Sequence, residues 1–245
     1  MSTPKRAIKI FKTGIEVARA FAEELSNLIS DNKGNVHIAL SGGSTPAILF
    51  DLLAKDYASA INWEQVHFWW GDERCVAPTD NESNYKMANN LLFSPLHIKS
   101  SAIHRIKGEL LPQEAANDYA EALNTHIPSR EGRPVFDLII LGMGSDGHTA
   151  SIFPNQMNLL ETEKICSVAT QPQSGQNRVT LTGKVINQAK KVCFLVTGEA
   201  KAKRIEQIMK DDPGAREIPA YYIRPCSGDL VFYMDTAAAK GITTD

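Results

Sequence analysis

The chain reads as an α/β sandwich with a mostly parallel sheet, on two observations. Strand-like apolar runs alternate with helical periodicities along its whole length, as β-α-β folding requires. Four loops rich in small, polar and charged residues each follow a strand-like run, and a parallel sheet gathers such loops at one edge, where ligands bind. With 245 residues, 43% of them apolar, the chain can bury a full core and is expected to form one domain over residues 1–245.

The elements follow in order. Ile8 to Phe11 is the first expected strand. From Glu16 to Ile29, apolar residues recur at helical spacing (Val17, Phe21, Leu25, Leu28 and Ile29) and predict a helix. Val36 to Leu40 is a strand that runs into Ser41-Gly42-Gly43-Ser44-Thr45-Pro46, with Pro46 suited to the first turn of a following helix. Gln65 to Trp70 is another, ending at Gly71-Asp72-Glu73-Arg74. Asp137 to Leu141 has the apolar character of a buried parallel strand. Lys191 to Thr197 is expected as a strand, followed by a helix from about Glu199 to Lys210. Tyr221 to Arg224 and Leu230 to Met234 are expected as short late strands.

Composition removes several classes of function. A formal net charge of -2 argues against nucleic acid, which calls for a basic stripe. No apolar run approaches the roughly 20 residues that span a bilayer, and MSTPKRAIKIFK lacks the apolar stretch of a secretory signal. Cys75, Cys166, Cys193 and Cys226 are widely spaced with no CxxC pair, so reduced thiols and a cytoplasmic location are expected.

The most constraining stretch is DLIILGMGSDGHTASIFP, residues 137–154. An apolar run ends in Gly142, Gly144, Ser145, Asp146 and Gly147, and His148 follows. His148 is a candidate general base, because a nearby carboxylate, Asp146 or Asp72, would orient the imidazole and raise its basicity. The other five histidines lack such a loop and receive no role. The glycines match GxGxxG literally, but Pro154 limits any helix to about two turns, so a dinucleotide cofactor is not expected. No second His or Cys stands at ligand spacing, so no metal is expected.

The remaining candidates are anion binders. Ser41, Gly42, Gly43, Ser44 and Thr45 suit a phosphate cradle at a helix N-terminus. A tight turn with Ser or Thr capping the helix fits them equally well. Arg74 is a candidate for an oxyanion or phosphate, with Asp72 to hold it or meet a sugar hydroxyl, and Asn84 to support the loop. Arg178 in RVTLT is a lone cation. Lys201, in the first turn of an expected helix, opposes the helix dipole, a mild conflict that favours contact with a phosphate.

SGGSTP, WWGDERCVAPTDNESNY, GMGSDGHTASIFP and TGEAKA, in that order and spacing, resemble the 6-phosphogluconolactonase family. The resemblance runs from about Ser41 to the aliphatic C-terminal segment. It implies a three-layer α/β/α fold of Rossmann-like topology, a monomer, and hydrolysis of a sugar phosphate lactone without metal or cofactor. It also carries phosphate contacts onto the SGGSTP backbone, Lys201 and Arg178. The related glucosamine-6-phosphate deaminases follow the shared DGH with I-A-F-N-E-P and read D-E-Y at the acidic loop. This chain has Phe153 in place of that Glu, and Asp72-Glu73-Arg74; both differences favour ester hydrolysis. A sugar-phosphate sensor is the reading from another class, although no DNA-binding segment is recognisable and a sensor has no need of a general base.

Overall fold

A computed structural model describes residues 6–242. β1 (Arg6–Phe11) leads to α1 (Gly14–Ser30), where the Thr13 hydroxyl caps the helix by accepting from the Glu16 N–H. The helix buries Val17, Ala18, Phe21, Ala22, Leu25 and Ile29, a stripe at three- and four-residue spacing. β2 (Val36–Leu40), buried throughout, α2 (Ser44–Asp56), β3 (Val66–Trp70) and β4 (Asp72–Arg74) follow. Next come α3 (Asn84–Ala88), α4 (Ser94–Leu96) and α5 (Pro112–His126). A short hairpin of β5 (Ser129–Arg130) and β6 (Arg133–Pro134) precedes β7 (Leu138–Leu141). The chain closes with β8 (Cys166–Thr170), β9 (Asn177–Leu181), α6 (Gly183–Ile186), β10 (Lys191–Val196), α7 (Ala202–Met209) and β11 (Asp229–Asp235).

Six strands form the central sheet in the order β1-β11-β10-β7-β2-β3, and every neighbouring pair is parallel. Strands buried on both faces read as largely apolar runs, which is why β2, β7, β10 and β11 were legible, whereas the edge strand β1 is only partly buried. Tyr233 on β11 meets Phe21 of α1 edge to face, while its neighbour Phe232 points the other way and stacks on Phe194 of β10. Phe68 of β3 packs on Phe93, and Trp69, on the opposite face, packs on Tyr119 of α5. Helices therefore cover both faces, giving the three layers that the resemblance implied.

The strand order reverses between β2 and β7. From β2 the chain moves outward to β3, and from β7 it moves the other way to β10. This switch point leaves a crevice beyond the carboxyl ends of β2 and β7. The Ser41–Thr45 loop follows β2 and the Gly142–Gly147 loop follows β7, so the fold sets the two glycine-rich loops on the crevice walls.

Two expectations need correction, and one strand was not expected. Tyr221 to Arg224 is not a strand: Pro219–Tyr222 form a 3-10 turn. The Tyr221 N–H donates to Ile218 O and the Ile223 N–H to Ala220 O, so local bonds satisfy groups that a ladder would otherwise need. The helix expected from Glu199 begins as a 3-10 turn, Glu199–Lys201, and becomes α-helical only from Ala202. RVTLT, read only for its arginine, is the centre of a second sheet, β4-β9-β8, antiparallel throughout. That sheet grows from the end of β3, where the Leu181 N–H donates to Gly71 O. No helix among the described residues is long and apolar enough to cross a membrane.

Candidate active site

A cleft of about 240 Å³ opens at the switch point. Eleven of the twelve residues singled out in the sequence line it; Asp146, the twelfth, stands behind His148.

Asp146 settles which carboxylate orients the histidine. Its Oδ1 lies 2.6 Å from His148 Nδ1 and accepts the His148 backbone N–H at 3.1 Å. Burial alone would raise the Asp146 pKa, but the hydrogen bond and charge of His148 outweigh it and hold it at about 2. With Nδ1 engaged as donor, Nε2 is the acceptor nitrogen. The loop is closed on itself, with the Gly144 N–H donating to His148 O and the Gly147 N–H to Gly144 O. Gly144 has no room for a side chain, because a Cβ there would stand 2.2 Å from His148 Nδ1 and 2.4 Å from Asp146 Oδ1. Below the imidazole lies the buried ring of Phe153, at 4.9 Å between centroids. The two side chains of the pair are 30% and 34% exposed, open enough for a substrate to reach. Downstream, Pro154–Leu160 is a 3-10 segment, not the sizeable helix that a dinucleotide fingerprint requires.

Asp72 has another partner. It is buried, and its Oδ2 accepts the Ser151 hydroxyl at 2.6 Å. The Asp72 carbonyl accepts Asn84 Nδ2 at 2.9 Å.

The cradle loop lies across the cleft. α2 has Gly43 at its N-cap, at φ 112°, and no side chain caps it, so the capped-turn reading of SGGSTP is not what forms. N–H groups of the first turn are left without a side-chain cap. Asn84 packs so closely on Gly42 that a Cβ there would lie 1.9 Å from its Oδ1. Thr45 Oγ1 meets Thr197 Oγ1 at 2.7 Å, joining α2 to the end of β10.

Cations complete the wall. Arg74 on β4 and Arg178 on β9 are direct partners in the antiparallel register. Like charges set opposite one another destabilise a ladder, and an anion held between them would relieve that repulsion. The Nε atoms of both are buried without a hydrogen-bond partner, whereas Arg74 Nη1 donates to Glu82 O. Burial pushes the Arg178 pKa down, Asp72 opposes this and Arg74 adds to it. The Arg178 guanidinium lies 5.7 Å from the Phe153 centroid, so one ring underlies both it and His148. Lys201 reaches the cleft from the β10–α7 loop. Burial lowers its pKa, with the Asp146 charge acting in the other direction.

Sequence reasoning missed Met143, Ala150 and Thr197, which also line the cleft, and Ser151, which supports it; Phe153 was noted only as standing where the deaminases have Glu, not as the ring beneath His148 and Arg178. Ser151 and Phe153 lie inside the glycine-rich motif itself. Nothing in the type of Ser151 marked it, because its partner Asp72 is distant in the chain.

The family model of glucosamine-6-phosphate isomerases/6-phosphogluconolactonase matches residues 12–232. The chain belongs to that family. It is 47% identical to a 6-phosphogluconolactonase of Haemophilus influenzae over 84% of this chain and 87% of the relative. It is 39% identical to one from Treponema pallidum, over 87% and 90%. The solved 6-phosphogluconolactonase of Trypanosoma brucei superposes with a TM-score of 0.89 at 28% identity, covering 99% of this chain and all of the other. A monomeric glucosamine-6-phosphate deaminase shares the fold, with a TM-score of 0.79 at 16% identity, 96% of this chain and all of the other.

Proposed function

We propose that this chain hydrolyses 6-phospho-D-glucono-1,5-lactone to 6-phosphogluconate, the second step of the oxidative pentose phosphate route. The observation that carries the reading is the His148–Asp146 pair, 2.6 Å apart, facing a cleft that Arg74, Arg178 and Lys201 also line. The names and coverage of the relatives point the same way.

In this reading the phosphate docks on the N–H groups of the α2 N-terminus, with Lys201 and Arg178 supplying charge-assisted bonds. The lactone carbonyl at the other end of the sugar then lies by His148. Nε2 takes a proton from water as the water oxygen bonds to C1, and the carbonyl electron pair moves to oxygen. Arg74 donates to that oxyanion. On collapse, the bond from C1 to the ring oxygen breaks and the imidazolium returns its proton to that oxygen. Asp146 keeps Nδ1 protonated throughout. The reading extends to a single-domain cytoplasmic monomer without metal or cofactor; four unpaired cysteines support a reducing compartment.

The test follows lactone made in situ from glucose 6-phosphate against its spontaneous opening. Wild type accelerates the reaction, and His148→Ala loses about 10²–10⁴-fold in kcat. No acceleration by wild type sinks the lactonase reading. Ammonia release from glucosamine 6-phosphate would then favour a deaminase, and thermal stabilisation by sugar phosphates without turnover a sensor.

A further inference from the structure

Glu73 lies one residue from both Asp72 and Arg74, is 2% exposed and has no place on the cleft wall. Its carboxylate is fully used. Oε1 accepts the N–H groups of Arg74 and Asn84, each at 2.8 Å. Oε2 accepts the Tyr85 N–H at 2.8 Å and the Ser83 hydroxyl at 3.0 Å. A buried charge is costly unless such donors meet it, and burial does push the Glu73 pKa up against them.

The clasped groups share one property. Arg74 is held directly through its N–H, and its guanidinium is held by the carbonyl of Glu82, in the loop that Glu73 ties down. Asn84, held by the same oxygen as Arg74, spans the Asp72 carbonyl and Gly42 of the cradle. One carboxylate therefore sets the relative position of the cationic wall and the phosphate loop, which come from segments 30 residues apart in the chain and more.

We propose that Glu73 is a positioning residue for lactone hydrolysis, holding Arg74 and Asn84 at the cleft without touching the substrate. The inference rests on the function proposed above, with Arg74 as the donor to the oxyanion. Glu73→Gln preserves shape but turns an acceptor oxygen into an NH₂ facing two donors, so one pair of bonds is lost.

The experiment is a double-mutant cycle of wild type, Glu73→Gln, Arg74→Ala and the double variant, with kcat and KM of lactone hydrolysis measured in each. Amide exchange at Arg74, Asn84 and Tyr85 is followed in wild type and Glu73→Gln. Glu73→Gln is expected to lower kcat by about 10²-fold, the scale of a misplaced catalytic group, with fast exchange at the amides of the pair that the new NH₂ faces. The double variant is expected to have a kcat no lower than that of Arg74→Ala alone, while the loosened Asn84 raises its KM. Independent, multiplying losses in kcat would overturn the proposal, as would unchanged exchange at the three amides. Where Glu73→Gln fails to fold, Ser83→Ala, which removes one of the four donors, takes its place in the cycle and shows the same coupling with a smaller loss. If wild type fails to hydrolyse the lactone, the functional reading falls. The cycle is then read in the affinity for 6-phosphogluconate, where additive losses overturn the clasp and coupled losses support it.

Discussion

The two ends of the central sheet treat histidine in opposite ways. At the carboxyl end, His148 has a carboxylate on Nδ1, stands on a closed glycine loop and is partly open to the cleft. Near the amino ends of β2 and β3, His37, His67, His104 and His126 are packed around Trp69. His104 stacks on the indole at 4.0 Å, His67 Nδ1 meets His104 Nε2 at 3.0 Å, and Trp69 Nε1 donates to His37 Nδ1 at 3.2 Å. Burial and the neighbouring imidazoles hold His37 and His104 down at about 4. An oriented partner and an open face are what a proton-transfer role would need, whereas burial and neighbouring imidazoles keep the second set neutral. The contrast teaches that the residue type carries little; its place on the sheet carries the chemistry.

The contrast breaks most visibly at His148. His148→Ala is expected to abolish nearly all catalysis, about 10²–10⁴-fold in kcat, while no substitution in the other cluster approaches that loss. A steady-state comparison of His148→Ala with His67→Gln tests it, and equal losses would make the two ends equivalent. Asp146→Asn comes next, at about 10²-fold in kcat, because the amide no longer enforces the Nδ1–H tautomer; KM for the lactone stays within error if Asp146 acts only through His148.

Removing the anchors is expected to move the other constant. Lys201→Ala and Arg178→Ala each delete a charge-assisted bond of about 1.5–3 kcal/mol, which corresponds to a roughly tenfold to hundredfold rise in KM with little change in kcat. A fall in kcat at constant KM would assign that cation to the transition state.

The smallest effect belongs to the other end of the sheet and concerns stability. The folded-state pKa values of His37 and His104 lie below the ordinary 6.5, so the unfolded chain binds protons more readily. Their contribution is complete above pH 6.5 and is lost as the pH falls toward 4. His67 and His126 add repulsion once protonated, Asp137 opposes it at His37, and Lys190 adds to it there. Tm is expected to drop across that window, and His37→Gln to flatten part of the drop. A Tm independent of pH between 6.5 and 4 would remove the cluster from acid stability.

Much of this arrangement was legible in the residues, for identifiable reasons. The parallel strands showed themselves because burial on both faces demands continuous apolar runs, as in Val36–Leu40 and Leu138–Leu141. Loops with glycine or charge after such runs marked the ligand edge. α5 was missed because Ala115 and Ala116 make up half of its buried stripe and small side chains carry little periodic signal. β8 and β9 were missed because an outlying antiparallel sheet is only partly buried and alternates weakly. Tyr221 to Arg224 misled because aromatic and β-branched residues favour strands wherever they stand, while Pro219 and local bonds made a turn.

By itself the sequence determined the α/β class, the edge of the sheet where the candidate cleft opens, and most of the side chains that meet there, since hydrophobic periodicity and loop composition are local properties. Only the tertiary structure decided which partners those side chains take. It put Asp146 rather than Asp72 on His148, set Arg178 opposite Arg74 across more than 100 residues of chain, left α2 uncapped and closed Glu73 on four donors. Hydrogen bonds and charge pairs act over a few ångströms. Which groups come within that reach is set by strand order and register, and neither is written in the spacing of residues along the chain.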